Sequence, residues 1–188
     1  MRRAVFLDRD GVINEDRPDY VKNISELRVF EYVPECIRRL NAAGFCVFVV
    51  SNQQCVGKGI VSIAALHAIE CEIVRVIGEG GGKINGFYYC THLATQKCTC
   101  RKPEPGLLLQ AAREHDVQLN ASFMIGDSVK DVLAGNRAGC RTLLVLTGSV
   151  SAEDASELSC KPEYVARDLV DAVAYITREC GAEKEETS

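Results

Sequence analysis

Short apolar runs alternate with amphipathic stretches along the whole chain. Residues 4–7 form an apolar run closed by Asp8-Arg9-Asp10-Gly11. Residues 34–43 carry a helical pattern, with Pro34 in the first turn, Ile37 and Leu40 on one face and Gly44 past the end. Residues 45–50 are six consecutive apolar positions, rich in Val and Phe and too short for a buried helix, which suits a strand covered on both faces. Ser62 is placed to cap a long helix reaching about Gly78, with Leu66, Ile69, Ile73 and Val76 at helical spacing. A third strand is predicted over 86–89, and a helix after Pro105-Gly106 that carries Leu107, Leu108, Ala111 and Ala112.

The same alternation continues to the end. Residues 123–125 are strand-like and end in Gly126-Asp127; a helix over 128–137 stops near Gly139, and 142–146 is a further strand. Residues 148–162, rich in Ser and charge, read as a loop, 164–166 as a last short strand, and Asp168 as the cap of a final helix to about Arg178. From Gly181 the Glu-Lys-Glu-Glu tail reads as frayed and disordered.

Alternating elements of this kind predict an α/β fold: a doubly wound, mostly parallel Rossmann-like sheet with helices on both faces, since parallel strands need crossover connections. Ligands in such sheets bind outside the carboxyl ends of the strands. The polar clusters fall there: Asp8 and Asp10 after the first strand, Ser51-Asn52-Gln53 after the second, Asp127 after 123–125.

Composition narrows the field. The chain's 188 residues fit one domain, placed over 1–180, and 47% hydrophobic residues exclude a disordered chain. A net charge of -4 leaves no basic field for nucleic acid, so a small anionic ligand must be held by a few local Lys and Arg. With no secretory leader pattern and no apolar stretch of about 18 residues, the expectation is a cytoplasmic protein that binds no membrane and acts as a monomer.

Two carboxylates two positions apart at a strand end point to the same side and repel unless a cation joins them. A hard divalent ion such as Mg²⁺ suits Asp8 and Asp10, with Asp127 from another strand end completing the set. Cys90, His92, Cys98 and Cys100 supply three thiolates and an imidazole within eleven positions, a donor set for a closed, structural Zn²⁺ site in a small loop over about 90–102. Cys36, Cys46, Cys71, Cys140, Cys160 and Cys180 read as small apolar fillers or surface thiols.

Phe6-Leu7-Asp8-Arg9-Asp10-Gly11-Val12-Ile13-Asn14, Ser51-Asn52-Gln53, Arg101-Lys102-Pro103 with Pro105-Gly106, and Gly126-Asp127 with Asp131 together resemble the four motifs of the haloacid dehalogenase (HAD) superfamily of phosphatases. Within it the chain is similar to the heptose 1,7-bisphosphate 7-phosphatases, whose relatives are the histidinol-phosphate phosphatases. The resemblance implies Asp8 as nucleophile, forming an aspartyl-phosphate, and Asp10 as general acid and then base. It implies Mg²⁺ on Asp8, the Asp10 carbonyl and Asp127, with Asp131 behind them. Ser51 and Lys102 match the positions that stabilise the transferring phosphoryl group, and Asn52, Gln53, Gln54, Lys58 and Arg101 match those that touch a phosphorylated sugar.

The segments after Gly11 and after Gly80 are too short for a cap domain, which argues against a phosphate-transferring mutase. In the family's second motif Cys55 replaces a glycine and Lys58 an arginine. The short zinc-type spacing also fits histidinol-phosphate phosphatases. A non-catalytic zinc module is the alternative from a different class, and it leaves the three aspartates without a purpose.

Overall fold

The structure, a computed structural model, describes residues 1–148, 150, 151, 155 and 160–185, the last six by their backbone alone. Six strands, β1 (Arg3–Leu7), β2 (Phe45–Asn52), β3 (Gly86–Cys90), β4 (Phe123–Gly126), β5 (Arg141–Val145) and β6 (Tyr164–Ala166), form one sheet in the order β3-β2-β1-β4-β5-β6. Every neighbouring pair is parallel. The helices are α1 (Val33–Ala42), α2 (Gln54–Gly57), α3 (Ile63–Glu79), α4 (Gly106–His115), α5 (Val129–Ala138) and α6 (Leu169–Glu185).

The period of two along β1 divides the core. Val5 and Leu7 join Ile37, Leu40, Ile69, Ile73 and Ile176 beneath α1, α3 and α6. Ala4 and Phe6 face the opposite way and pack with Phe48, Val50, Leu108, Ala111 and Met124 beneath α4 and α5. The expected continuous apolar strands are explained by this double burial.

Strand order makes the site. The chain runs from β1 outward through β2 to β3, then returns to lay β4 against the other side of β1, so the order reverses at β1. Asp8 and Asp127, each just past a strand, therefore come from adjacent strands, and the Asp8 N–H donates to the Ile125 carbonyl at 3.0 Å.

Local signals behave as their chemistry requires. Ser62 Oγ accepts from the Ala65 N–H, Asp168 from the Asp171 N–H, and Gly139 closes α5 with a φ of +84°. Three details differ from expectation. β2 extends through Ser51 and Asn52, because both still pair with β3. The four-residue helix α2, too short for any periodicity, turns the chain directly after Gln53. The final helix continues to Glu185, past Gly181, its last turn drawn from charged residues that read as a tail.

Residues 149, 152–154 and 156–159 of the expected loop, and 186–188 of the expected tail, lie outside the described residues. Between β1 and α1 the chain forms only a single 3₁₀ turn at Ile24–Glu26, and between β3 and α4 only one at Ala94–Gln96, so no cap covers the sheet edge. Among the described residues no helix is long and apolar enough to cross a membrane.

Candidate active site at the carboxyl edge of the sheet

A cavity of about 320 Å³ opens over the ends of β1, β2 and β4. At its floor Lys102, 2% exposed, sends its ammonium to three acceptors: Asp8 Oδ2 at 2.9 Å, Asp131 Oδ1 at 2.6 Å and the Val50 carbonyl at 2.7 Å. The ammonium is thus hydrogen-bonded to the Val50 carbonyl and ion-paired with both carboxylates. Burial opposes the charge on Lys102, but Asp131 and Asp8 more than offset it and raise its pKa. Asp8 is pushed up to about 6, mainly by burial; Lys102 pulls the other way while Asp131 and Asp10 add repulsion.

The carboxylates of Asp8, Asp127 and Asp131 lie within 4.8 Å of one another. Hard oxygen donors this close form a donor set suited to a divalent cation. Asp127 is fixed in place by backbone. A Cβ added to Gly11, whose φ is +79°, would stand 2.7 Å from Asp127 Oδ2, and one on Gly148 would overlap the same carboxylate. Asp131 belongs to α5 as well: its Oδ2 accepts from the Ser128 N–H at 3.1 Å and the Ser128 hydroxyl at 2.5 Å, closing the N-terminal turn.

Asp10 is held from the opposite side. Arg9 donates through Nε and Nη2 at 2.9–3.1 Å, Asn14 Nδ2 donates at 2.9 Å, and Gln53 Nε2 at 2.9 Å. The Gln53 amide also reaches Ser51 Oγ at 3.0 Å. Asn52 and Lys102 exchange hydrogen bonds, side-chain amide to carbonyl at 2.9 Å and backbone N–H to Oδ1 at 3.0 Å, which ties the end of β2 to the loop before α4.

Of the sequence-predicted residues, Asp8, Asp10, Ser51, Asn52, Gln53, Gln54, Arg101, Lys102, Asp127 and Asp131 line the cavity. Gln53 and Asn52 spend their amides on protein partners. Lys58 does not line it; its ammonium donates to the Tyr20 hydroxyl at 2.8 Å, behind the rim. Sequence reasoning missed Asp16, Arg17, Pro18, Tyr20, Ser128 and Lys130, which complete the wall. Tyr20 sits at a φ of +67° and its hydroxyl also accepts from Gln54 Nε2 at 3.2 Å; Gln54 in turn accepts from Arg101 at 3.3 Å. Asp16, Arg17, Pro18 and Tyr20 lie on a loop with no periodic signal, while Ser128 and Lys130 belong to the N-terminal turn of α5. Arg101 and Lys130 also border a second cavity of about 460 Å³ beside the cysteine loop.

That loop brings Cys90, His92, Cys98 and Cys100 together. Cys90 Sγ lies 3.5 Å from Cys98 Sγ, Cys98 lies 3.4 Å from Cys100, and His92 Nδ1 lies 3.2 Å from Cys100 and 3.6 Å from Cys90. Zinc–sulfur bonds of about 2.3 Å in a tetrahedron put sulfurs about 3.8 Å apart, so the four atoms fit such an ion with small movement. Although what burial there is opposes it, contacts with Cys100 and Cys90 lower the Cys98 thiol to about 7, within reach of the thiolate a metal requires.

Residues 99–172 match the HAD-hydrolase-like family model. The chain is 34% identical over 185 residues to the D-glycero-beta-D-manno-heptose-1,7-bisphosphate 7-phosphatase of Neisseria meningitidis, covering 96% of this chain and 97% of that one. It is 37% identical to the Pseudomonas aeruginosa enzyme of the same name, over 78% of this chain and 83% of the other. In three dimensions it is similar to the D,D-heptose 1,7-bisphosphate phosphatase from B. bronchiseptica, solved with magnesium and phosphate, with a TM-score of 0.88, 32% identity, and coverage of 94% and 99% of the two chains.

Proposed function

The chain belongs to the D-glycero-D-manno-heptose-1,7-bisphosphate 7-phosphatase family of HAD hydrolases, and from that premise we propose that it removes the C7 phosphate of the heptose bisphosphate through an aspartyl-phosphate on Asp8. The observation that carries the reading is the convergence of Asp8, Asp127 and Asp131 at the switch point of the sheet, with Lys102 against Asp8 and Asp131 and Asp10 held beside them.

Each residue has a task its chemistry can perform. The Asp8 carboxylate attacks phosphorus and the bond to the leaving sugar oxygen breaks; Asp10 gives that oxygen its proton, then takes one from the water that releases phosphate from Asp8. Ser51 and Lys102 hold the phosphoryl oxygens. Asp8, the Asp10 main-chain carbonyl and Asp127 would hold Mg²⁺, with Asp131 orienting the set through Lys102 and Ser128. Bound there, the ion supplies positive charge that offsets repulsion between carboxylate and phosphate. Arg101 and Gln54 face the sugar end, with Lys58 acting through Tyr20.

Cys90, His92, Cys98 and Cys100 would hold a structural Zn²⁺ whose task is to fix the backbone leading into Arg101 and Lys102. The protein is proposed to act as a cytoplasmic monomer on small phosphorylated sugars.

The test is phosphate release measured in parallel on the two anomers of heptose 1,7-bisphosphate, on fructose 1,6-bisphosphate and on histidinol phosphate, with ³¹P NMR to identify the phosphate lost. Preferred loss from C7 is expected. Preference for histidinol phosphate, or loss from C1, would overturn the substrate assignment, and full turnover by Asp8→Asn would overturn the nucleophile.

A further inference from the structure

We infer that Arg9, the residue between the two motif aspartates, is a positioning residue for proton transfer: its buried guanidinium clamps the Asp10 carboxylate in the orientation from which Asp10 serves the leaving group and the incoming water. The inference rests on Asp10 being the proton carrier in the reading above.

A charged residue flanked by two acids in a surface motif would ordinarily be solvated. Arg9 is instead 1% exposed and is the largest of the fully buried side chains. Its fork meets Asp10 in a two-pronged contact, Nε to Oδ1 at 3.1 Å and Nη2 to both oxygens at 2.9 Å, which fixes the plane of the carboxylate as well as its position. Asp10 keeps 23% exposure and lines the cavity, with Oδ2 shared between Arg9 and Gln53. The main chain of Arg9 serves the other aspartate: its N–H donates to Asp8 Oδ1 at 2.7 Å, and its carbonyl accepts from Ile13 and Asn14 at 2.8 and 3.1 Å. One residue thus sets both reacting carboxylates.

The arrangement is poorly suited to stability. Arg9 Nη1 and the Tyr89 hydroxyl are both buried without a hydrogen-bond partner. A buried ion pair is often matched or bettered by apolar residues of similar size, and an orphaned donor adds to its cost. A group kept at that cost beside a reacting carboxylate points to a role in orientation.

The experiment separates proton transfer from everything else through the leaving group. p-Nitrophenolate leaves without a proton, so its departure to form the aspartyl-phosphate on Asp8 does not need Asp10, whereas hydrolysis of that intermediate does. A simple alkyl phosphate needs Asp10 in both steps. In stopped flow with Mg²⁺, Arg9→Met should therefore give a burst of p-nitrophenol approaching one equivalent, followed by a slow phase. On the alkyl phosphate it should give no burst and a kcat lowered about 10–100-fold with KM little changed. Arg9→Lys, which keeps the charge and loses the fork, should fall between wild type and Arg9→Met; it carries the same comparison should Arg9→Met fail to fold.

Asp10→Asn is the reference. If it shows the burst pattern while the Arg9 variants lose both substrates equally, or lose nothing, the clamp is refuted and the role of Asp10 stands. If Asp10→Asn shows no such pattern, the role of Asp10 fails and the clamp with it.

Discussion

Replacing Asp131 should cost stability in a way that exposes how Lys102 is supported. The wild-type carboxylate divides its two oxygens between the Lys102 ammonium at 2.6 Å and the Ser128 turn at 2.5–3.1 Å, with 1% of the side chain exposed. Removing one partner of a buried pair costs about 3–5 kcal/mol when the other charge is left alone. Here Lys102 keeps Asp8 and the Val50 carbonyl, and Asp8 is relieved of repulsion, while the α5 cap is lost at about 1 kcal/mol. The balance for Asp131→Ala is a loss of about 2–4 kcal/mol. With an unfolding entropy near 2.1 cal/mol/K per residue, that is a fall in Tm of about 5–10 °C.

The isosteric Asp131→Asn should be no milder. Its single amide oxygen can serve Lys102 or Ser128 but not both, and its NH₂ meets a donor at whichever it abandons. Urea and thermal unfolding in EDTA, at 0.1 and 1 M NaCl, would measure both variants; the losses should persist at high salt because the pair is dry. A loss below about 1 kcal/mol for both, or one that disappears in salt, would refute the reasoning.

Three further outcomes follow from the site. Asp8 has a folded pKa near 6 against an ordinary 3.8, so in metal-free protein its contribution is fully present below about pH 4 and is lost as pH rises through 6; Asp8→Asn in EDTA should be inactive yet more stable than wild type at pH 7, by up to about 3 kcal/mol, with the two converging near pH 4. A less stable variant at pH 7 would contradict this. Protein purified without chelator should carry one zinc per chain by metal analysis, and Cys98→Ser should weaken substrate binding through displaced Arg101 and Lys102; full activity in zinc-free protein would remove the ion's role. Arg101→Ala should lower kcat/KM on the bisphosphate at least about tenfold more than on p-nitrophenyl phosphate, because only the former has a remote phosphate to grip. Equal losses would place Arg101 at the transferring group.

What the sequence made legible was what repeats or concentrates chemistry. The six-residue apolar run of β2, the Ser62 and Asp168 caps, and carboxylates at strand ends each announce themselves through period, position or type. The order of the strands leaves no such trace, since the crossover from β3 to β4 is a fact of packing; strand ends and motifs put Asp8 and Asp127 in one site, but not on adjacent strands. Lys58 looked like a ligand because it stands in a motif, yet the turn of α2 aims it at Tyr20. Arg9 was passed over for the opposite reason: its guanidinium is buried between Asp10 of its own loop and Tyr89 of β3, a meeting that no local pattern encodes.

The crowding around Lys102 has a consequence for turnover. With Asp8 Oδ2, Asp131 Oδ1 and the Val50 carbonyl all within 2.9 Å of its ammonium, Lys102 can meet a phosphoryl oxygen, as the proposed mechanism requires, only by sharing or giving up one of these contacts. Contact with phosphate is then an exchange with little net gain, the same for free inorganic phosphate as for the ester. What distinguishes the two is the sugar, held by groups outside this exchange. Once the ester bond is cut, the freed phosphate, on the reading proposed above, still has Ser51 and the metal, while at Lys102 the protein's own acceptors compete to take the contact back. The lysine then adds little to the hold on free phosphate.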